Sequence, residues 1–249
     1  MALLGRVLQR APRKTVAVED ERMSVIEHLE ALRRVLIVSL IAWAVATIGS
    51  FFLAGRVIDF LLSHANLHNA VYLQPGGGIL NELKVAMYMG VIIAGPIVIQ
   101  QLWWFVSPGL HQHERRFILP LIVATVFFFA LGVSVAIYAM PLYIAVLGRF
   151  APAGVVYLPD LGQFLSFVLL MIIGFGIVFE LPVVLFVLGM LRIVKTQWLY
   201  KRRPYFFLGL GLVANFLTPG ADPLTPLIMF IPLYLFFEGT TLLLKLLGR

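Results

Sequence analysis

Long apolar runs alternate with short polar segments along this chain. The longest run, from Phe164 to Leu191, contains a single charged side chain, Glu180. About 20 apolar residues, at about 1.5 Å per residue in a helix, match a hydrocarbon core of about 30 Å. Pro and Gly interrupt the runs without an alternation of period two, so the pattern favours helices over a membrane barrel. We predict six membrane-crossing helices, over residues 35–53, 82–105, 117–138, 164–191, 204–217 and 223–244. Residues 54–81 and residues 139–160, which contain Pro141, are predicted loops.

The predicted fifth span is unusually short. Its 14 residues, 204–217, lie before the turn T-P-G-A-D-P. In a helix they extend about 21 Å, which is less than the thickness of the hydrocarbon core. We therefore expect the bilayer to thin at this helix, or neighbouring protein to cover its ends.

The pattern before the first span predicts an amphipathic helix at the membrane surface. Ser24 and Glu27 have the spacing of a capping box, which marks a helix start. Residues 1–22 are polar and basic, and we expect a flexible cytosolic tail there, followed by a single six-span membrane domain over residues 23–249. The helix would turn one apolar face to the membrane, formed by Val25, Leu29, Leu32 and Leu36.

Composition narrows the class of protein. With 61% hydrophobic and 12% charged residues, the chain is too apolar for a soluble domain. It contains no cysteine, which excludes disulfides and thiolate metal sites. The predicted fold class is therefore an all-α integral membrane protein.

The distribution of basic residues predicts the orientation. Sixteen of the 19 Lys and Arg residues lie before the first span, in the 107–116 and 192–203 loops, or after the last span. Only Arg56, Lys84 and Arg149 fall on the other side. Because positive charge concentrates on the cytosolic side, both termini are predicted to be cytosolic. This asymmetry also accounts for the net charge of +7, so no nucleic-acid partner is predicted.

Motifs of enzyme chemistry are absent from the sequence. It has no H-E-x-x-H, G-x-S-x-G or phosphate-binding Gly-Lys motif. His111 and His113 lie beside Glu114, but no third metal ligand is nearby in the sequence. We therefore predict no enzymatic activity, no metal and no cofactor.

Three acidic residues occupy unusual positions. Glu180 lies in mid-membrane, where an unpaired carboxylate is costly, so it is a functional candidate or a protonated packing group. Glu114, on the 107–116 loop, is either a binding carboxylate or a partner in a solvated ion pair with the neighbouring arginines. Asp222 suits a turn or a helix start. A proton-coupled solute transporter using Glu180 is the alternative function from a different class.

Several motifs together resemble one family. They are H-L-E-A-L-R-R (28–34), F-V-S-P-G-L-H-Q-H-E-R-R (105–116), F-E-L-P (179–182), K-R-R-P-Y (201–205) and T-P-G-A-D-P (218–223). In order and topology they are similar to TatC, the multi-spanning receptor subunit of the twin-arginine protein translocase. The resemblance covers roughly residues 24–247.

The resemblance implies a receptor that binds twin-arginine signal peptides on the cytosolic face of a bacterial inner membrane. The family's loop glutamate matches Glu114, and the family's membrane-buried polar position, which is thought to meet single-span TatA or TatB partners, matches Glu180, followed by Pro182. Asp222 matches the external turn, and the complex would be a homo-oligomer exporting folded proteins. The other implied signal-peptide residues are His28, Leu29, Glu30, Leu32, Arg33, Phe105 and Pro108.

The sequence departs from the family pattern at three places. Ala31 stands where the family often has glutamate, and Glu30 is one residue earlier, about 100° away on a helix. Gly76 to Gly78 replace a common Pro and Phe, and Pro226 stands where many relatives have Gln.

Overall fold

The described part of the chain is all-helical. The structure, a computed structural model, describes residues 25–67, 70–71, 73, 75–107, 117–149, 159–218 and 225–248. Within these residues the only extended pairing is one parallel bridge between Val71 and Asp160. The predicted all-α class is therefore confirmed. The helices are α1 (Val25–Phe51), α2 (Ala54–His64), α3 (Gly77–Val106), α4 (Ile118–Arg149), α5 (Leu161–Val178), α6 (Leu181–Met190), α7 (Thr196–Lys201), α8 (Arg203–Leu217) and α9 (Thr225–Leu246).

Five helical stretches in the described residues are long and apolar enough to cross a membrane. They correspond to the first, second, third, fourth and sixth predicted spans. The predicted short fifth span is α8, which has 15 residues. The count of six crossings and the side of the termini stay predictions. The five stretches are Ile26–Phe51, Gly77–Val106, Ile118–Val146, Leu161–Met190 and Pro226–Leu246.

The stretch Leu161–Met190, formed by α5 and α6, is the centre of the molecule. Of its most apolar window, 61% is buried, whereas the other four candidate spans are 11–33% buried. It packs against α3, α4, α8 and α9. The other spans therefore keep most of their apolar surface outward, as a lipid solvent requires.

Polar contacts fix the start of α5. The Asp160 carboxylate caps the helix by accepting a hydrogen bond from the backbone N–H of Gln163 (2.8 Å), and it accepts another from the N–H of Leu73 (3.3 Å). From α3, the Lys84 ammonium donates to the Ser166 hydroxyl (2.7 Å). These bonds tie the start of α5 to α3 and to the segment before it.

The first helix differs from its predicted two-part form. The stretch expected at the membrane surface and the first span make one unbroken helix, α1, of 27 residues. The change from an amphipathic to an apolar pattern therefore does not interrupt the helix. Ser24, the predicted capping residue, lies outside the described residues.

Two helical segments extend beyond the sequence prediction. Residues 54–64, assigned to a loop, form α2, whose Ala54, Ile58 and Leu61 are buried at helical spacing. The third predicted span, expected to end at residue 138, continues as α4 to Arg149 past Pro141. The buried side chains of Met140 and Tyr143 pack in the core and hold this extension.

Close helix packing depends on glycines in α4 and α5. A Cβ atom on Gly132 would lie 2.5 Å from the carbonyl oxygen of Phe175 and 2.9 Å from the Cβ of Phe179. A Cβ atom on Gly176 would lie 2.7 Å from the Phe129 ring. Small residues allow such backbone approach between membrane helices. The contact places α4 directly against α5, the helix that ends just before Glu180.

We predict that Gly132→Ala destabilises the folded protein by about 1–3 kcal/mol, because the added methyl group must push α4 away from the Phe175 backbone. The measurement is denaturant unfolding of the detergent-solubilised protein. Gly239→Ala is the matched control, because nothing lies within 4 Å of a Cβ atom there. Equal stability of the two variants would contradict the packing described.

Candidate functional site

Helices α1 and α3 form the most extensive helix pair in the described structure. The Trp43 indole donates a hydrogen bond to the carbonyl oxygen of Met87 (3.1 Å). A Cβ atom on Gly90 would overlap the Thr47 hydroxyl and lie 3.0 Å from the Thr47 backbone nitrogen, so only glycine permits this approach. The two helices are therefore closely packed, and residues near the start of α1 have fixed neighbours near the end of α3.

Two predicted signal-peptide residues meet at this end of the helix pair. The His28 ring stacks on the Phe105 ring, with centroids 4.4 Å apart and planes inclined by 25°. His28 belongs to the second turn of α1, and Phe105 is the penultimate residue of α3. Two motifs separated by more than seventy residues in the sequence thus share one surface.

The predicted site residues on α1, including His28, are solvent- or lipid-exposed. Leu32 follows His28 by four residues and shares its face, whereas Glu30 lies about 200° around the helix from His28. Ala31, three residues after His28, is nearer to the His28 face and partly buried. The carboxylate of Glu30 is therefore on a different face from the histidine that contacts α3. The exposed set comprises His28, Leu29, Glu30, Leu32 and Arg33.

Three predicted site residues lie outside the described residues: Pro108, Glu114 and Asp222. Helix α3 ends at Val106, and α4 begins at Ile118, so Pro108 and Glu114 belong to the segment that joins these two helices. Asp222 belongs to the segment between α8 and α9.

A groove of about 750 Å³ lies between α1, α3, α4 and the α5–α6 span. Its lining is almost entirely apolar, with Glu180 as the single charged residue among the described residues that line it. The aromatic residues Trp43, Trp103 and Phe129 contribute to its walls. The structure thus places the intramembrane carboxylate at a surface that could receive an apolar segment.

Glu180 differs from the other polar groups of this groove. The Trp103 indole donates to the Thr125 hydroxyl (3.2 Å), which donates in turn to the carbonyl oxygen of Leu121 (2.9 Å). By contrast, the Oε1 atom of Glu180 is buried without a hydrogen-bond partner. A buried oxygen without a partner is costly, so Glu180 has unused capacity to bind a polar group that enters the groove.

A break in the central span presents Glu180 to the groove. Helix α5 ends at Val178 and α6 begins at Leu181, so Glu180 lies in the turn between them. Pro182 has no N–H group, and the carbonyl oxygen of Val178 therefore loses its usual helical donor. The F-E-L-P motif thus combines the carboxylate and the residue that interrupts the helix.

Pro182 itself does not line this groove. It borders a second cavity, of about 340 Å³, together with Phe117, Phe128 and Phe186. Glu180 and Pro182, the two residues of the predicted partner site, therefore border different cavities, and Glu180 borders the larger one.

Sequence reasoning missed a second intramembrane acid. Glu238, inside α9, accepts hydrogen bonds from the Arg203 guanidinium and from the Tyr234 hydroxyl, the latter at 3.0 Å. The same rule that singled out Glu180, an acid within a predicted span, would have found it. Unlike Glu180, Glu238 is paired, and it links α9 to the start of α8.

The fold and the groove define a multi-span helical membrane protein that presents a carboxylate in the middle of its central span. The chain belongs to the TatC family: residues 27–232 match the family described as Sec-independent protein translocase protein (TatC). This finding confirms the resemblance read from the motifs. It makes the chain a component of a protein translocase, and not an enzyme.

Relatives and solved structures agree with this assignment. The chain is 35% identical over 231 residues to the Sec-independent protein translocase protein TatC of Carboxydothermus hydrogenoformans, covering 91% of this chain and 95% of the relative. It is 32% identical to TatC of Azotobacter chroococcum, covering 88% of each. A crystal structure of the twin-arginine translocase receptor TatC matches 90% of this chain and 100% of that chain, with a TM-score of 0.77 and 31% identity.

We predict that a short bifunctional thiol reagent crosslinks the double variant His28→Cys/Phe105→Cys within one chain, because the two side chains are in contact. The chain has no cysteine of its own, so the two introduced thiols are the only ones that can react. Mass spectrometry of the digested protein would detect the linked peptides. Glu30→Cys/Phe105→Cys is the control, since residue 30 faces away from α3. Equal yields from the two variants would contradict the described α1–α3 contact.

Proposed function

We propose that this chain is the receptor and scaffold subunit of a twin-arginine translocase in a bacterial inner membrane. It binds the paired arginines of an export signal at its cytosolic face and nucleates assembly with single-span partners to export folded proteins. The observation that carries the proposal is the His28–Phe105 contact. It joins the first-helix motif to the end of α3, immediately before the loop that contains Pro108 and Glu114.

The chemistry of the peptide site supports Glu114 as the binding carboxylate. Arginine presents a rigid fork of N–H donors that pairs with carboxylate through two charge-assisted hydrogen bonds, whereas lysine offers a compact charge. Arg115 and Arg116 follow Glu114, so its carboxylate would be an isolated acidic group on a basic surface. Such a group would bind the paired arginines of a signal peptide selectively. In this proposal, His28, Leu29, Leu32, Arg33 and Phe105 shape the surface beside the carboxylate, and Glu30 contributes from the neighbouring face.

The proposed topology has six crossings with both termini in the cytosol. Helix α8 supplies the crossing that is too short to count among the five candidate spans. Its 15 residues extend about 22 Å, so the bilayer thins beside it or protein covers its ends. The segment that contains Asp222 then lies outside, as the external turn between α8 and α9. The concentration of basic residues on the opposite side supports this orientation.

The groove supports a second role, the docking of a partner helix. A TatA- or TatB-like single-span protein would place a polar side chain opposite Glu180, whose Oε1 atom lacks a hydrogen-bond partner. Pro182 contributes by interrupting the helix that presents this carboxylate. Several copies of the chain would assemble with such partners in one complex.

We predict that Glu114→Ala abolishes photocrosslinking between a twin-arginine signal peptide and a probe at position 110, because the binding carboxylate is lost. A peptide with Lys-Lys in place of Arg-Arg should crosslink weakly even to the unaltered protein. Gln112→Ala, on the same loop, is the control and should crosslink normally. Undiminished crosslinking of a stably inserted Glu114→Ala variant would defeat the assignment.

We predict that Glu180→Ala weakens co-purification of single-span partners about fivefold, while signal-peptide crosslinking persists. The reason is the loss of one interhelical hydrogen bond in lipid, worth about 1 kcal/mol. Glu180→Gln, which keeps the ability to hydrogen-bond, should retain more partner. The control is Val184→Ala, one turn further along the same groove. Partner recovery equal to that of the unaltered protein would count against this role.

A further inference from the structure

A basic surface without acidic neighbours surrounds the start of α8. We define the basic patch as Arg192, Lys195, Lys201, Arg202 and Lys245, all of which are exposed. Residues 181–218 contain no Asp or Glu, and neither do residues 239–248. The nearest carboxylate on the adjoining helix, Glu238, is already paired with Arg203. No residue of the patch forms an ion pair with a carboxylate among the described residues, so its positive charge is not neutralised within this part of the fold.

Aromatic rings hold two cations of the patch, Arg202 and Lys245, in place together with the neighbouring Arg203. The Arg203 guanidinium carbon lies 4.2 Å from the centroid of the Tyr200 ring, and the Lys245 ammonium lies 5.5 Å from the same centroid. The Arg202 guanidinium carbon lies 5.1 Å from the centroid of the Tyr205 ring. Cation–π contacts orient a cation without neutralising it, in contrast to an ion pair. The patch is therefore an ordered surface joining α7, α8 and α9.

The patch also lies beside the end of α9. Lys245, which faces the Tyr200 ring, is the last residue but one of this helix. Arg203, the first residue of α8, binds Glu238, which lies eight residues before the last residue of α9, Leu246. The cations of the patch therefore lie at the end of α9, and the neighbouring Arg203 binds further along that helix.

Exposed apolar side chains border the cations. Ile193 is 67% exposed, Trp198 49% and Tyr205 66%. Apolar and aromatic side chains next to basic ones are typical of surfaces at the boundary between lipid tails and headgroups. A water-soluble acidic partner would match the charges of the patch but would leave this apolar border unexplained.

We propose that the basic patch binds the headgroup of an anionic phospholipid. The phosphodiester would lie against Lys201 and Arg202, and its acyl chains would lie along the exposed apolar side chains of α8. The lipid would therefore lie beside the short helix α8. The inference rests on the proposed placement of α8 in the membrane, and it holds whichever leaflet the patch faces.

The test is native mass spectrometry of the full chain in detergent, titrated with phosphatidylglycerol or with phosphatidylcholine of the same acyl chains. The unaltered protein should bind phosphatidylglycerol more tightly. Lys201→Gln/Arg202→Gln should weaken that binding about 30-fold, because each of the two basic residues contributes about 1 kcal/mol near an anionic surface. The matched control, Arg34→Gln/Arg56→Gln, removes the same charge from exposed residues elsewhere and should bind as the unaltered protein does.

Three results would overturn the proposal: equal affinity of the unaltered protein for both lipids, a lipid preference that survives in the Lys201/Arg202 variant, or an equal loss in the control. Binding of an oligoglutamate peptide to the patch in place of phosphatidylglycerol would point to an acidic protein partner and would equally overturn it. Should the first variant fail to insert, Arg192→Gln/Lys195→Gln removes two charges from the loop before α7. Signal-peptide crosslinking, measured on the same variants, reports separately on the proposed receptor function.

Discussion

The absence of water in the hydrocarbon core is the constraint on which this structure depends, because a polar group there must find its partner within protein. Several hydroxyl groups in the described spans do so locally, as Thr125 does with the carbonyl oxygen of Leu121. The two acids that lie far from the ends of their spans, Glu180 and Glu238, behave differently. Glu238 is paired with Arg203 and fixes one helix to another, whereas Glu180 keeps an oxygen without a partner. This difference separates a structural acid from one that is available to a ligand.

Close packing determines where that available acid can lie. Gly132 and Gly176 let α4 approach the central span so closely that a methyl group would not fit. Gly90 plays the same part between α1 and α3. The groove is the space left between these two tightly packed pairs of helices, and the break before Pro182 presents the carboxylate of Glu180 to it. The site therefore results from packing on both sides of it as much as from its own residues.

Much of this architecture could be predicted from the sequence, since span length and hydropathy alone locate the apolar helices and the short α8. Helix α2 was missed because eleven residues are too few for a span, although Ala54, Ile58 and Leu61 show helical spacing. The extension of α4 was missed because Pro141 suggested a helix end, whereas buried Tyr143 keeps the helix intact. The family resemblance implied that His28 and Phe105 belong to one site, but their stacking was not predicted, because contacts between distant segments leave no periodic signal in one sequence.

The two cavities beside α6 have a geometric consequence for any attempt to alter the groove. Val183 borders both the larger cavity, with Glu180, and the smaller one, with Pro182. At this point the partition between them is one side chain thick. A change in the volume of residue 183 must therefore alter the shape of both cavities. A substitution that enlarges or narrows the groove at this point will also change how α6 packs against α4 and α9.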